Sequence, residues 1–80
     1  MAKLLKLTIS KVDGPVFDGA VASVHVPGID GEMEILANHE PLISPLKAGK
    51  VTVKKESGEE SYDIQAGTLE ISNNHATILI

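Results

Sequence analysis

The fold class is decided by residues 50–72, whose sequence is KVTVKKESGEESYDIQAGTLEIS. Apolar and polar side chains alternate on both sides of its centre, with Val51 and Val53 on one side and residues 69–71 on the other. A period of two is typical of half-buried β-strands, because successive side chains point to opposite faces of a sheet. The segment ESGE at 56–59 separates two alternating runs and predicts a hairpin loop.

The rest of the chain repeats this pattern. Further alternating or strand-like runs occur at residues 5–10, 22–26, 61–65 and 75–80. Turn signals recur about every 8–12 residues, the pair Asn73-Asn74 among them, and this spacing is expected of an antiparallel sandwich or barrel. No stretch of ten or more residues has a helical period with caps. The sequence therefore predicts one all-β domain over residues 1–80.

Composition and charge exclude several classes of function. The chain has 80 residues, which suits one small domain, and its 7 Lys plus Arg against 11 Asp plus Glu make the formal charge −4. An acidic chain with one Phe, one Tyr and no Trp lacks the residues for phosphate neutralisation and base stacking, so nucleic-acid binding is not predicted. The absence of cysteine excludes disulfides and thiolate metal sites, and the apolar runs are too short to span a membrane.

Residues 27–45 differ from the rest, because their alternation is poor and three prolines interrupt them. Proline cannot donate to a strand ladder, so this segment is predicted to be edge strand or loop. It also contains Glu32, His39 and Glu40, whose side chains are of the types that bind metals or transfer protons. No ligand spacing relates them, and the other interpretation is that they are solvated loop residues.

Neither the remaining histidines nor the glycines indicate catalysis. His25 lies on the polar face of a predicted strand and His75 follows a turn, so both are interpreted as exposed or capping groups. The seven glycines are scattered singly at turns, and none precedes a helix whose amino terminus would hold a phosphate. No catalytic residue, metal site or cofactor is predicted. The function is therefore expected to lie in a surface that docks on a larger partner.

Short segments spread along the chain form an ordered set. In chain order they are LKLTI at 5–9, GPVFDG at 14–19, VASV at 21–24, VPG at 26–28, GEM at 31–33, IL at 35–36, His39 followed by PL at 41–42, LKAG at 46–49, Gly67 with LE at 69–70, and ATIL at 76–79. In this order and at these separations, the chain resembles the amino-terminal domain of the epsilon subunit of the rotary ATP synthase over essentially its whole length. It departs from the family pattern at Glu34, at Ala37-Asn38 and at Thr68.

The resemblance implies a flattened antiparallel β-sandwich of two roughly five-stranded sheets. It implies a non-catalytic rotor subunit of the central stalk, which couples the proton-driven c-ring to the gamma subunit during ATP synthesis. Such a subunit lies at the cytoplasmic face of the energy-coupling membrane and contacts the membrane only indirectly, through the complex. Family members commonly continue into a two-helix carboxy-terminal domain, whereas this sequence stops with the last strand, so neither inhibition of ATP hydrolysis nor nucleotide binding is expected.

The resemblance also implies two sets of contact residues. The residues implied to contact the polar loops of the c-ring are Gly28, Ile29, Asp30, Gly31 and Glu32. The residues implied to contact the gamma subunit are His39, Pro41, Leu42 and Ser44. Glu32 is the main candidate for a polar contact with basic or amide groups of the ring. The other interpretations are that Glu32 is an exposed loop acid without a role and that Leu42 belongs to the core.

Two other classes of function stay open at this level. One is a free-standing β-sandwich module that binds another protein or a small ligand, and the absence of gamma binding would favour it. The other is a small hydrolase or metalloenzyme that uses His39 with Glu32 and Glu40, which metal analysis of the purified chain would test.

Overall fold

The computed structural model describes residues 3–80, so Met1 and Ala2 of the predicted domain lie outside the described residues. Strands account for all the regular secondary structure in this range. They are β1 (Leu5–Lys11), β2 (Gly14–Val21), β3 (Ser23–Gly28), β4 (Gly31–Leu36), β5 (Leu42–Leu46), β6 (Gly49–Lys55), β7 (Gly58–Ile64), β8 (Gly67–Ser72) and β9 (His75–Leu79). Between residues 3 and 80 there is accordingly no helix of the length and apolarity that a membrane crossing requires.

The strands form one hydrogen-bonded sheet that curls into two layers. Its order is β2-β1-β9-β8-β5-β3-β6-β7, and β4 pairs with the free side of β3. The five strands from β2 to β5 face the other four across one core, and the layers join where Gly28 of β3 pairs with Leu46 of β5. All pairs are antiparallel except β1 and β9, which run parallel. The predicted all-β sandwich is confirmed, with five and four strands in its layers.

Strand β3 corrects one expectation, because it contains Pro27 and yet has neighbours on both sides. On one side β3 pairs with β4 along its whole length. On the other side it pairs with β6 at residues 23–25 and with β5 only at Gly28. Pro27 lies where one neighbour replaces the other, so its missing N–H falls at a break in the ladder. Elsewhere the prediction holds for β4, which is an edge strand, and for the loop at residues 37–41, whereas β5 has β8 on one side and meets β3 on the other at Leu46.

The core consists of the inward-facing aliphatic side chains of both layers. The buried apolar residues are Leu5, Leu7, Ile9, Val21, Val24, Val26, Ile35, Leu46, Val51, Val53, Ile64, Leu69, Ile71, Ala76 and Ile78. The two aromatic rings lie at the margin, where Phe17 of β2 meets Tyr62 of β7 edge-on at a centroid distance of 6.5 Å. These rings cover the side of the sandwich on which the two layers end in edge strands.

The β8–β9 turn joins three parts of the chain through Asn74. Asn73 and Asn74 have φ values of +52° and +59°, a left-handed conformation that asparagine tolerates better than most residues. The Asn74 side chain also accepts a hydrogen bond from the Asn38 N–H at 2.7 Å and donates one to the Leu4 carbonyl at 2.9 Å. The predicted turn is thus confirmed, and Asn74 also holds the loop after β4 and the start of β1.

Replacing Asn74 by glycine is expected to destabilise the domain by about 1–2 kcal/mol. Glycine keeps the left-handed turn, so the loss measures the two side-chain hydrogen bonds, each worth about 0.5–1.5 kcal/mol net. Asn73→Gly is the matched control, since Asn73 shares the turn conformation and is exposed. Urea unfolding of both variants gives the comparison. Equal midpoints for the two variants would show that the Asn74 side chain adds no stability.

Candidate interaction site at the β3–β4 tip and strand β5

The tip of the β3–β4 hairpin exposes an apolar side chain close in sequence to two acids, Asp30 and Glu32. Ile29 and Asp30 form the turn, and the Ile29 side chain is 54% exposed. The Ile29 N–H donates a hydrogen bond to the Pro45 carbonyl at 3.1 Å, and the Lys47 N–H donates one to the Pro27 carbonyl at 2.9 Å. These bonds attach the tip to the end of β5, so the exposed groups are presented by a braced hairpin and not by a free loop.

Gly28 makes the closure of the tip possible. It pairs directly with Gly31 across the hairpin. A β-carbon at position 28 would lie 2.6 Å from the Gly31 carbonyl oxygen and 3.0 Å from the Met33 methyl group. Because the nearest of these atoms belongs to the backbone, a side chain at position 28 would force the two strands apart. Gly28 thus has a structural role in the predicted ring-contact set, and the groups available for contact are Ile29, Asp30 and Glu32.

Glu32 lies one residue inside β4 and has a neighbour that the sequence did not indicate. Its side chain is 67% exposed, and its Oε1 is 3.5 Å from Nδ1 of His25. In the hairpin register Glu32 is opposite Pro27 and Glu34 is opposite His25, so the contact between His25 and Glu32 is diagonal. His25 was interpreted as an exposed or capping group. The sequence could have predicted this contact, because a two-residue turn at 29–30 sets a register in which residue 32 is diagonal to residue 25.

The predicted gamma-contact residues divide between the two ends of β4. His39 and Pro41 are exposed in the loop that follows β4, where the His39 Nδ1 is 2.7 Å from the Glu40 carbonyl oxygen. Six residues of β4 separate this loop from the hairpin tip, a length of about 20 Å. Ser44 lies instead beside the tip, because it lines a concavity of about 200 Å³ with Gly28, Asp30, Gly31, Glu32 and Met33.

Strand β5 carries one exposed apolar group that the sequence analysis missed. Leu42 is half-buried and packs on the core, which supports the interpretation of Leu42 as a core residue. Ile43 points to the opposite face and is 70% exposed, the largest exposure among the apolar side chains of the strands. With Pro41, Glu70 and Ser72 it lines a shallow groove of about 430 Å³. The alternation within β5 could have predicted the exposure of Ile43, because it places residues 42, 44 and 46 inward and residue 43 outward.

The candidate metal or acid–base residues are not brought together. Glu32 is at the hairpin tip, whereas His39 and Glu40 lie beyond the other end of β4. Within residues 3–80, no group of three or more histidine, aspartate or glutamate side chains is placed to hold a metal ion. The chemistry available at the tip is therefore hydrogen bonding and ion pairing by exposed carboxylates, with an apolar contact from Ile29.

A second polar cluster lies on the far side of the sandwich, beside the Phe17 ring. The Lys55 ammonium and the Tyr62 hydroxyl both donate hydrogen bonds to the Glu60 carboxylate. The bond from Lys55, with a smaller contribution from the Tyr62 hydroxyl, lowers the pKa of Glu60. The bond to Glu60 raises the pKa of Tyr62, and burial adds to that rise. The cluster ties β6 to β7 at their hairpin end.

Tyr62 is expected to ionise above the ordinary tyrosine pKa of about 10, and Glu60→Gln is expected to lower that value again. Since the folded-state pKa is raised, the contribution of Tyr62 to stability is present below about pH 10 and is lost as the pH rises through the folded value. Glu60 contributes in the opposite sense: its stabilisation is present above its unfolded pKa and is lost as the pH falls. Tyrosinate absorbance reports on Tyr62 alone, because the chain has one Tyr and no Trp. Identical titrations of the two proteins would contradict the role of Glu60.

Comparison with known proteins agrees with this architecture. Residues 4–80 match the family model described as the ATP synthase, Delta/Epsilon chain, beta-sandwich domain. The ATP synthase epsilon chain of Chlorobium limicola is 40% identical over 78 residues, which cover 96% of this chain and 89% of that protein. The epsilon chain of Latilactobacillus sakei is 38% identical over 80 residues, which cover 96% of this chain and 55% of that protein.

Comparison with solved structures finds the same fold. A chain of the Euglena gracilis mitochondrial ATP synthase, in an assembly of OSCP, F1 and c-ring, superposes with a TM-score of 0.87 at 27% identity, covering 99% of this chain and 51% of its own length. A chain from the central stalk and c-ring of the Tetrahymena thermophila mitochondrial ATP synthase has a TM-score of 0.78 at 12% identity, which shows a shared fold.

The nine-stranded sandwich is thus of a known class, the β-sandwich domain of ATP synthase delta and epsilon chains. This chain belongs to the ATP synthase delta/epsilon family, as a member of its β-sandwich domain. It spans about half the length of several of the curated relatives that it matches.

Proposed function

We propose that this chain is a non-catalytic subunit of the central stalk of an ATP synthase, where it couples the proton-driven c-ring to the gamma subunit during ATP synthesis. The observation that supports this most is the family match over residues 4–80, together with the superposition on a chain of an F1 and c-ring assembly. The chain would then lie at the cytoplasmic face of the energy-coupling membrane and reach the membrane only through the complex. The role requires no bond chemistry from the chain itself.

The fold suits a part that transmits torque. Its aliphatic core is shared by both layers, and a close-packed interior resists shear. Much of that core is β-branched Val and Ile, which occupy few rotamers. Hydrogen bonds brace the β3–β4 tip against β5, so force applied at the tip is carried directly into the five-stranded layer.

In this proposal, one predicted contact set faces the c-ring and the other faces the gamma subunit. Ile29, Asp30 and Glu32 of the tip face the polar loops of the c-ring, with Gly28 and Gly31 shaping the turn. His39 and Pro41 face the gamma subunit from the other end of β4. Leu42 supports this surface from the core side, and Ser44 is a gamma contact that lies beside the tip, at the other end of β4 from His39 and Pro41.

Reversing the charge of Glu32 is expected to weaken attachment to the c-ring by about three- to tenfold, because a carboxylate that faces basic or amide groups is replaced by a repelling cation. The measurement is binding of the Glu32→Lys variant to membranes depleted of this chain. Glu56→Lys is the matched control, since Glu56 is exposed in the β6–β7 turn at the opposite end of β3 from the tip. Equal losses in both variants would mean that net charge, and not the tip, is responsible.

A direct test of the proposed function is a pull-down of the full chain with the cognate gamma subunit, paired with a pumping assay. Membranes that lack the chain are expected to lose ATP-driven proton pumping and to regain it when the chain is added back. Normal pumping without the chain would overturn the proposal. Failure to bind gamma, together with a specific ligand found by calorimetry, would favour a free-standing binding module.

A further inference from the structure

His25 lies on the outer face of the four-stranded layer. Its side chain is 44% exposed. It lines a groove of about 310 Å³ with Ser23, Glu34, Thr52 and Lys54, whereas Glu32 lines the separate concavity at the tip. The His25 Nδ1 is 3.5 Å from the Glu32 carboxylate.

The charged groups around His25 come from two strands. On β4, Glu34 is directly opposite His25 and Glu32 is diagonal to it, so two carboxylates flank the ring. On β6, Thr52 is opposite His25, and Lys54 lies one pair further along, opposite Ser23. Of the carboxylates in the described residues, the Glu32 group alone lies within 4 Å of the imidazole nitrogens. Geometry thus couples His25 to Glu32 in preference to Glu34.

We propose that His25 is a positioning residue for Glu32, and that its protonation holds the Glu32 carboxylate against β3 and away from the partner. This inference rests on the proposed function, in which Glu32 contacts basic or amide groups of the c-ring. Histidine is the side chain whose charge ordinarily changes between pH 5 and 8. Neutral His25 leaves the carboxylate free for the partner, whereas the imidazolium competes for it. Attachment therefore weakens as the pH falls.

The packing of the hairpin supports the role of His25 as the partner of the Glu32 carboxylate. The residue opposite Glu32 is Pro27, which has no N–H to offer and is buried against the backbone of Gly49. Within the hairpin, the His25 imidazolium is then the cation that can pair with the Glu32 carboxylate from the neighbouring strand. The pair is exposed, so the effect is modest: a solvated ion pair corresponds to about a two- to fivefold change in affinity.

The experiment has two arms that use the full chain. In the first, the ¹³C shift of the Glu32 side-chain carboxyl is followed by NMR from pH 5 to 8 in the free chain. We expect a step that His25→Gln abolishes and Glu34→Gln leaves in place. In the second, binding to membranes that contain ATP synthase depleted of this chain is measured at both ends of this range. The original chain is expected to bind two- to fivefold more weakly at the acidic end.

Variants separate positioning from a merely structural role. His25→Gln is expected to bind tightly at both pH values, and His25→Lys, which stays cationic, is expected to bind weakly at both. His75→Gln, on the outer face of the other layer, serves as a control and keeps the pH dependence of the original chain. A missing NMR step overturns the inference, as does a step without pH-dependent binding. Absence of binding at every pH, with the NMR step present, overturns the proposed function and the binding role together.

Discussion

Leu69→Ala is expected to leave the domain largely unfolded at room temperature. Leu69 is fully buried in β8, an interior strand between β5 and β9, where it lies opposite Ser44 and Ile78. Truncating a buried leucine costs about 2–5 kcal/mol, from lost burial and from the cavity left behind. A domain of 80 residues without disulfides rarely has more than about 3–5 kcal/mol in total. The substitution therefore removes most of the stability.

The same chemical change at an exposed position provides the control. Leu79 lies on the outer face of the neighbouring strand β9 and is 56% exposed. Leu79→Ala should change the unfolding free energy by about 0.5 kcal/mol or less. Circular dichroism during urea unfolding measures both variants. Similar midpoints would show that burial does not distinguish the two leucines, contrary to the structure.

Gly67→Ala is expected to destabilise the domain strongly, although it adds a single methyl group. A β-carbon at position 67 would lie 2.6 Å from the Leu79 carbonyl oxygen and 2.8 Å from the Ile80 side chain. The nearer atom belongs to the backbone. The steric clash can therefore be relieved only if β8 and β9 separate where they meet the end of β5. Overpacking of this kind costs about 1–3 kcal/mol, and we expect the upper part of that range because no side chain can rotate away.

Gly19→Ala is the matched control for this substitution. The nearest atom to its added β-carbon is the Phe17 Cζ at 3.5 Å, an ordinary van der Waals contact. This variant should be close to neutral. Hydrogen exchange should show faster opening of β8 and β9 in Gly67→Ala and no such change in Gly19→Ala. Uniform acceleration throughout the sheet in Gly67→Ala would contradict a local origin.

Much of the fold follows from local patterns. The alternation in residues 50–72 corresponds to β6, β7 and β8, and the structure has hairpin turns at Glu56-Ser57, within the ESGE segment, and at Asn73-Asn74. These features are predictable because a strand with one buried face must alternate, and because a tight turn needs residues that accept a positive φ. Both requirements act on neighbours in the chain, so the sequence displays them directly.

The candidate site was predictable only in part. The tip residues were indicated by a family resemblance, but the contact of His25 with Glu32 depends on the register of two strands. Ser44 reaches the tip because β5 crosses beside β3, and Ile43 is exposed because β5 has a solvated outer face. These placements depend on pairing between segments that are far apart along the chain.

The amino-acid sequence alone determined that this chain has an all-β fold, where most of its strands and turns lie, and the family to which it is similar. Tertiary structure decided that β1 pairs in parallel with β9, that Pro27 occupies a break between two neighbouring strands, and which side chains meet at the tip. The physical reason is the range of the interactions. Alternation and turn formation are energies of adjacent residues, whereas strand order and contacts across the sandwich arise when the whole core packs at once.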